Sequence, residues 1–333
     1  MNFSIIGCQH AHIGIFMKEM LELGHHCAGI YEEENIALAE SLANHYQVPM
    51  IHDRELLLDE SIAVVGCASI NIEKIDVIEL CEQRGKHVMI DKPVVTNQAD
   101  FERLKAVAQR ASIQIGMLLT ERYRASIMTL KQMIDAGELG DIVHIGMRKP
   151  HRLTAQNRPQ WHFDKKQNGG IAIDLFIHDF DLLRWLTGQE VIAINGYMAK
   201  NILPEYPTFY DVASMNVCMG NNIMANLYAD WYNPEMSWTW GDCRIFVTGT
   251  KGMAEIRLEG DPFVSKEECL LKVTHEQEIK RVVLEQPSAT VTEDFLNRIQ
   301  GHPSFVTMGD IMAATEATLT ADRNALIVNK FTS

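Results

Sequence analysis

Residues 62–68 read Ile-Ala-Val-Val-Gly-Cys-Ala, a run with no strongly polar side chain. A strand this apolar is expected where helices cover both faces of its sheet, the arrangement of a parallel α/β domain. The flanking sequence agrees. Apolar runs at 3–7, 27–31, 87–90 and 113–118 alternate with helical spacing at 13–23, 36–46, 75–84 and 98–110. Strand–helix alternation with short connections predicts a doubly wound parallel sheet of Rossmann type. Right-handed crossovers then bring the carboxyl ends of its strands to one edge.

After residue 121 the pattern changes. A helix at 126–136 leads to an alternating strand at 142–148, then a long polar connection and a helix at about 173–186. Strand-like runs follow at 191–198, 212–219, 223–229, 244–248, 253–257, 270–274 and 280–284. Turn signals such as Gly220-Asn221-Asn222 separate them, and helices at 292–300 and 311–328 close the chain. Strands in succession with helices set apart imply an α+β domain around a large, mostly antiparallel open sheet. The length of 333 residues fits two domains at roughly 100–200 residues each. The expected division is 1–121 and 122–333, with the last helix packing back on the first domain.

Composition narrows the partners. Thirty basic residues against 44 acidic give a net charge of −14, which argues against a nucleic-acid partner and against an anionic membrane surface. No apolar run reaches the ~18 residues of a membrane span, and the first residues lack the basic segment of a signal peptide. Seven scattered cysteines without a C-x-x-C pair read as reduced thiols of a cytoplasmic protein.

Three segments could carry chemistry. The first is the turn Gly7-Cys8-Gln9-His10-Ala11-His12 after the first strand. A dinucleotide turn asks for G-x-G-x-x-G, and here Gln9 and His12 stand at the second and third glycine positions. A plain strand–helix turn is the alternative. Glu32, at the end of the second strand, can bond an adenosine ribose and repel a 2′-phosphate, or belong to a solvated acidic turn with Glu33 and Glu34. His10 and His12 suggest a metal pair, but no third ligand follows at metal-site spacing, so no metal is expected. The second segment is Asp91-Lys92-Pro93, which puts a lysine at the functional edge of the sheet. The third is Gly169-Gly170 followed by Asp174, His178 and Asp181, three polar residues at i, i+4 and i+7 of a largely apolar helix. A histidine paired with a carboxylate suits general acid–base work near neutral pH. A cap and a satisfied core histidine are the structural alternative.

In this order the segments resemble the Gfo/Idh/MocA oxidoreductase family, a resemblance that Gly137-Glu138-Leu139-Gly140 and Gly249-Thr250-Lys251-Gly252 extend along nearly the whole chain. The resemblance implies an NAD(P)-dependent dehydrogenase acting on a secondary alcohol of a sugar, cyclitol or related polyol, with NAD preferred on Glu32. It assigns catalysis to Lys92, Asp174 and His178. It assigns cofactor contacts to Gly7, Gln9, His10, Ala11, His12, Glu32, Asn71, Asp91, Lys92 and Trp161. The substrate residues it implies are Lys92, Arg122, His151, Arg152, Asp174 and His178, in the second domain apart from Lys92. The family also implies a homodimer or homotetramer formed through the second sheet. The chain departs from the pattern at the two missing glycines, at His162 in place of an arginine, and at Thr120-Glu121-Arg122-Tyr123, so a divergent subgroup is expected. Two other readings use the same parts: NAD-assisted elimination or glycosidic cleavage, and a non-catalytic nucleotide or sugar sensor.

Overall fold

The computed structural model describes residues 1–331. The chain begins with β1 (Asn2–Cys8), α1 (Ile13–Glu22), β2 (His26–Tyr31), α2 (Ile36–Tyr46), β3 (Ile62–Ala68), α3 (Lys74–Gln83), β4 (His87–Ile90), α4 (Gln98–Arg110) and β5 (Ile115–Met117). It continues with α5 (Ala125–Asp135), β6 (Ile142–Pro150), α6 (Lys165–Asn168), α7 (Ile171–Leu175), α8 (Ile177–Thr187), β7 (Val191–Lys200), β8 (Val212–Met219) and β9 (Met224–Asp230). Last come β10 (Arg244–Gly249), β11 (Gly252–Arg257), β12 (Cys269–Thr274), β13 (Lys280–Arg281), α9 (Val291–Ile299), α10 (Met308–Asn324) and β14 (Ala325–Asn329).

Two compact units result. One comprises Met1–Leu119, Lys166–Gly169 and Ala289–Thr315; the other comprises Thr120–Lys165, Gly170–Ser288 and Glu316–Ser333. The first unit is a five-stranded parallel sheet in the order β2-β1-β3-β4-β5. β1 and β3 lie side by side, yet the chain runs outward from them in opposite directions. This reversal is the switch point where such sheets open a crevice beyond their carboxyl ends. The apolar run of β3 is buried as its sequence requires. Helix α9 joins this unit: the Thr292 N–H donates to Glu19 Oε2 at 3.0 Å, and the Arg298 guanidinium donates to the Ile115 carbonyl.

The second unit carries a nine-stranded sheet in the order β13-β12-β11-β10-β6-β9-β8-β7-β14. Its pairs are antiparallel except β6 with β9 and β7 with β14. One face is covered by α5, α7 and α8, whose Leu130, Leu175, Phe176, Phe180 and Leu183 pack against Ile145, Met215 and Leu227 of the strands. On β9 the alternation is clean: Ala225, Leu227 and Ala229 are buried, while Met224, Asn226 and Tyr228 are exposed. A row of side chains crosses four strands on the exposed face. His144 Nε2 lies 2.8 Å from Asn226 Oδ1, Asn226 donates to Asn216 Oδ1 at 2.6 Å, and Asn216 donates to Asn195 Oδ1 at 3.5 Å.

Several boundaries differ from the sequence pattern, three of them with a structural consequence. The helix expected over 173–186 is two, α7 and α8, meeting at Phe176. The strand expected over 280–284 keeps ladder pairing only at Lys280 and Arg281. The final helix stops at Asn324 instead of reaching residue 328, because Ala325–Asn329 pairs in parallel with β7. Its Ile327 and Val328 are β-branched and fit a pleated edge better than a helix end. Among the described residues no helix is long and apolar enough to cross a membrane. All seven cysteines are free thiols, four of them buried.

Candidate active site

The turn after β1 is built around two residues. Gly7 has φ +84°, and a Cβ there would lie 2.1 Å from Ser69 Oγ, so only glycine lets the ends of β1 and β3 approach. Glu32 binds the turn from the side. Its Oε1 accepts from Gln9 Nε2 at 2.6 Å and from the N–H groups of Glu33, Glu34 and Asn35, while its Oε2 accepts from the Cys8 N–H. Gln9, at the second glycine position, therefore turns its amide onto Glu32. The carboxylate also orders the start of the segment leading to α2.

Beside this turn is a cavity of roughly 400 Å³ lined by Gly7, Gln9, Tyr31 and Ser69. Glu32, Glu33, Glu34, Glu73 and Asp76 surround it, with Arg54 as counter-charge. Burial and then the field of the neighbouring carboxylates push the Glu73 carboxyl above its ordinary value. This negative potential suits an uncharged adenosine and repels a 2′-phosphate. The glycine at a close approach and the acidic second-strand end fit the adenosine half of a dinucleotide. The pyrophosphate turn departs further, because the N–H groups of Ile13, Gly14 and Ile15 already bond the carbonyls of His10, Ala11 and His12.

The Asp91-Lys92-Pro93 turn hangs on a residue that the pattern did not single out. Lys74 is 1% exposed and donates from Nζ to the carbonyls of Asp91 (2.7 Å), Lys92 (3.2 Å) and Pro93 (3.3 Å) and to Asn71 Oδ1 (2.8 Å). Asn71, expected at the cofactor, is buried and donates to the Asn168 carbonyl at 2.9 Å. It thus holds Lys74. Lys92 itself is half-buried, just past the end of β4.

Asp91 is buried and gathers both histidines of the first turn. His10 Nδ1 lies 3.4 Å from Asp91 Oδ2, and His12 Nδ1 lies 3.3 Å from Asp91 Oδ1. Burial pushes the carboxyl up, but His12, Lys74 and His10 together hold it well below the usual range, so it is a carboxylate. The sequence offered no third ligand near His10 and His12. The fold brings Asp91, 79 residues from His12, beside both rings, since parallel strands bring distant residues to one edge.

In the second unit Asp174 is buried in α7, and His178 lies half-buried in the first turn of α8. Asp181 does not share their environment. Its carboxylate accepts from Arg122 Nε at 2.8 Å and Nη2 at 2.5 Å, with both side chains 1% exposed. Arg122 is therefore a buried partner of α8 rather than the substrate residue that its position in the family pattern implied. Lys149 pairs with Asp179 at 3.1 Å. Although burial disfavours the Lys149 charge, Asp179 and Glu121 raise its pKa, so it stays an ammonium.

Arg158 is the further residue here. Its guanidinium lies over the rings of Trp231 (5.2 Å) and Trp240 (5.4 Å) and donates to the Leu153 carbonyl at 3.1 Å. Burial lowers its pKa and the Asp174 carboxylate opposes that shift. Arg152 donates to the carbonyls of Ser237 and Thr239, and His151 meets Trp231 edge-on at 5.6 Å. Trp161 is buried beside His162, whose ring also contacts Phe163, Phe209 and Trp231. At the position of the family's arginine stands a ring in an aromatic box.

A glycine-closed turn at the switch point of a parallel sheet, with an acid ending the second strand, defines a dinucleotide-binding Rossmann protein. Residues 1–118 match the family described as "Oxidoreductase family, NAD-binding Rossmann fold", and residues 127–255 match the GFO/IDH/MocA C-terminal domain. The chain belongs to the Gfo/Idh/MocA family. It is 30% identical to myo-inositol 2-dehydrogenase of Thermotoga maritima over 141 residues, 41% of this chain and 40% of that protein. It is 29% identical to inositol 2-dehydrogenase of Rhizobium meliloti over 225 residues, 65% of this chain and 63% of that one. The matched stretches thus span less than two thirds of these relatives. A solved protein of Erwinia carotovora atroseptica superposes with a TM-score of 0.89 at 23% identity, covering 98% of this chain and 99% of that one, which shows the shared fold.

Proposed function

We propose that the chain is an NAD-dependent dehydrogenase acting on a secondary alcohol of a sugar, cyclitol or related polyol. The observation that carries this reading is Lys92. A buried ammonium fixes its turn at the carboxyl edge of the sheet, as a reacting group at that edge requires. The names of the inositol dehydrogenases it resembles favour a cyclitol or similar polyol. The acidic cavity at Glu32 favours NAD over NADP.

The residues divide the work. The nicotinamide, when bound, supplies the hydride acceptor. His178 takes the hydroxyl proton as the carbinol is oxidised, and Asp174 orients the hydroxyl or the ring. The Lys92 ammonium polarises the reacting oxygen and lowers the cost of alkoxide character. Each of the last two effects is worth on the order of hundredfold in rate. Arg158, over the Trp231 and Trp240 rings, adds a donor for a substrate hydroxyl.

The test is NADH fluorescence over a panel of polyols and sugars with each cofactor, on the wild type and on Lys92→Ala and His178→Asn. Both variants are expected to fold and to lose turnover. Wild-type rates in both would overturn the assignment. The same reading places the protein in the cytoplasm as a homodimer or homotetramer joined through the exposed face of the second sheet.

A further inference from the structure

Two imidazoles and a buried carboxylate, all among the cofactor contacts that the family resemblance implies, converge on one point. We infer that His10, His12 and Asp91 form a three-ligand site for a divalent transition-metal ion of the zinc class. One ligand atom from each of the three residues, a ring nitrogen of His10 and of His12 and a carboxylate oxygen of Asp91, lies within 4.8 Å of the other two. The two nitrogens approach different oxygens, at 3.4 and 3.3 Å.

These separations suit a shared ion better than direct bonds. A charge-assisted N–H···O contact closes to about 2.7–2.9 Å. Ligands bound at about 2.0–2.1 Å in a tetrahedron stand about 3.3–3.4 Å apart. Imidazole nitrogen and carboxylate oxygen together suit zinc and its neighbours rather than magnesium or calcium.

The surroundings fit a built site. Asp91 is fixed from behind, its N–H donating to the Cys67 carbonyl at 2.8 Å and its own carbonyl accepting from Lys74. The histidine side chains are 34% and 44% exposed, which gives the ion access from solvent. Three protein ligands leave a fourth position for an oxygen of water, a phosphate or a hydroxylated substrate, as in zinc sites that do more than hold structure. The site does not depend on the dehydrogenase reading.

The experiment uses the full chain without an affinity tag, stripped with a chelator and titrated with Co²⁺ as a spectroscopic stand-in for zinc. The expected result is one equivalent bound, the strong visible absorption of tetrahedral cobalt, and displacement by Zn²⁺. His10→Ala and His12→Ala should each abolish that absorption and weaken binding by about a hundredfold or more, beyond what loss of an outer partner costs. Both histidines are partly exposed, so these variants should fold, and circular dichroism checks this. Absence of the cobalt absorption, or equal binding by wild type and both variants, would overturn the site. NADH binding to the stripped protein is measured separately. Its loss would count against the dehydrogenase and leave the metal result standing.

Discussion

Lys74 shows how much one side chain can govern. Its ammonium is the common donor for three successive carbonyls and an amide, all in a water-poor corner. Lys74→Met keeps the length and removes the donor, leaving those oxygens unsatisfied. The expected loss is about 3 kcal/mol of stability by denaturant titration. Turnover should fall as well, through displacement of Lys92. His87 gives a second prediction. Burial lowers its pKa, and its Nδ1 accepts from the Gln114 N–H at 2.9 Å. The unfolded chain therefore binds a proton on this ring more readily than the native state does, and stability falls as pH drops below about 6.5, the ordinary histidine value. In His87→Gln, whose acceptor does not titrate, melting curves between pH 7.5 and 5.5 should show a shallower decline. Neither role was legible from the sequence. A lysine at a helix start and a histidine at a strand start look like ordinary surface residues until the neighbouring strands are in place. The tight turn at Gly7 was legible from its place after the first strand, whereas the hold of Glu32 on that turn was not.

At the level of elements, periodicity placed β3, α2, β4 and α4 at their observed bounds. These elements have apolar faces that match their period. The sequence misled where tertiary pairing overrides local preference. The last helix gave way to β14 because an open edge of β7 offered hydrogen bonds. Helix α8 was legible as apolar, but not as the holder of two buried ion pairs, since the partners come from β6 and from the turn before α5. Breaking one pair should be costly. Asp181→Ala leaves the Arg122 guanidinium buried without its carboxylate, and a loss of about 3–5 kcal/mol is expected. The double change Arg122→Met with Asp181→Leu should recover most of it, measured by the same unfolding curves. If the double variant is no better than Asp181→Ala, the pair stabilises through geometry that apolar packing cannot replace.

For the whole molecule, the cysteines offer a simple check on packing. Burial pushes the thiol of Cys8 up to about 12, that of Cys27 up to about 11 and that of Cys243 up to about 12. Thiolates are the reactive form, so these should be silent toward a thiol reagent in the native state. The half-exposed Cys218 and Cys269 should be labelled first, and all seven should react only after unfolding, as mass spectrometry of labelled peptides would show. The net charge of −14 also has a local meaning, because acidic residues crowd the cavity beside Glu32, and in the proposed function they set the choice of cofactor.

The amide row from His144 to Asn195 bears on how the exposed sheet face meets its surroundings. Its donors and acceptors are largely spent on one another across β6, β9, β8 and β7. Water leaving such a row carries away few hydrogen bonds that must be replaced. This row, already satisfied within itself, can therefore be dried at small cost.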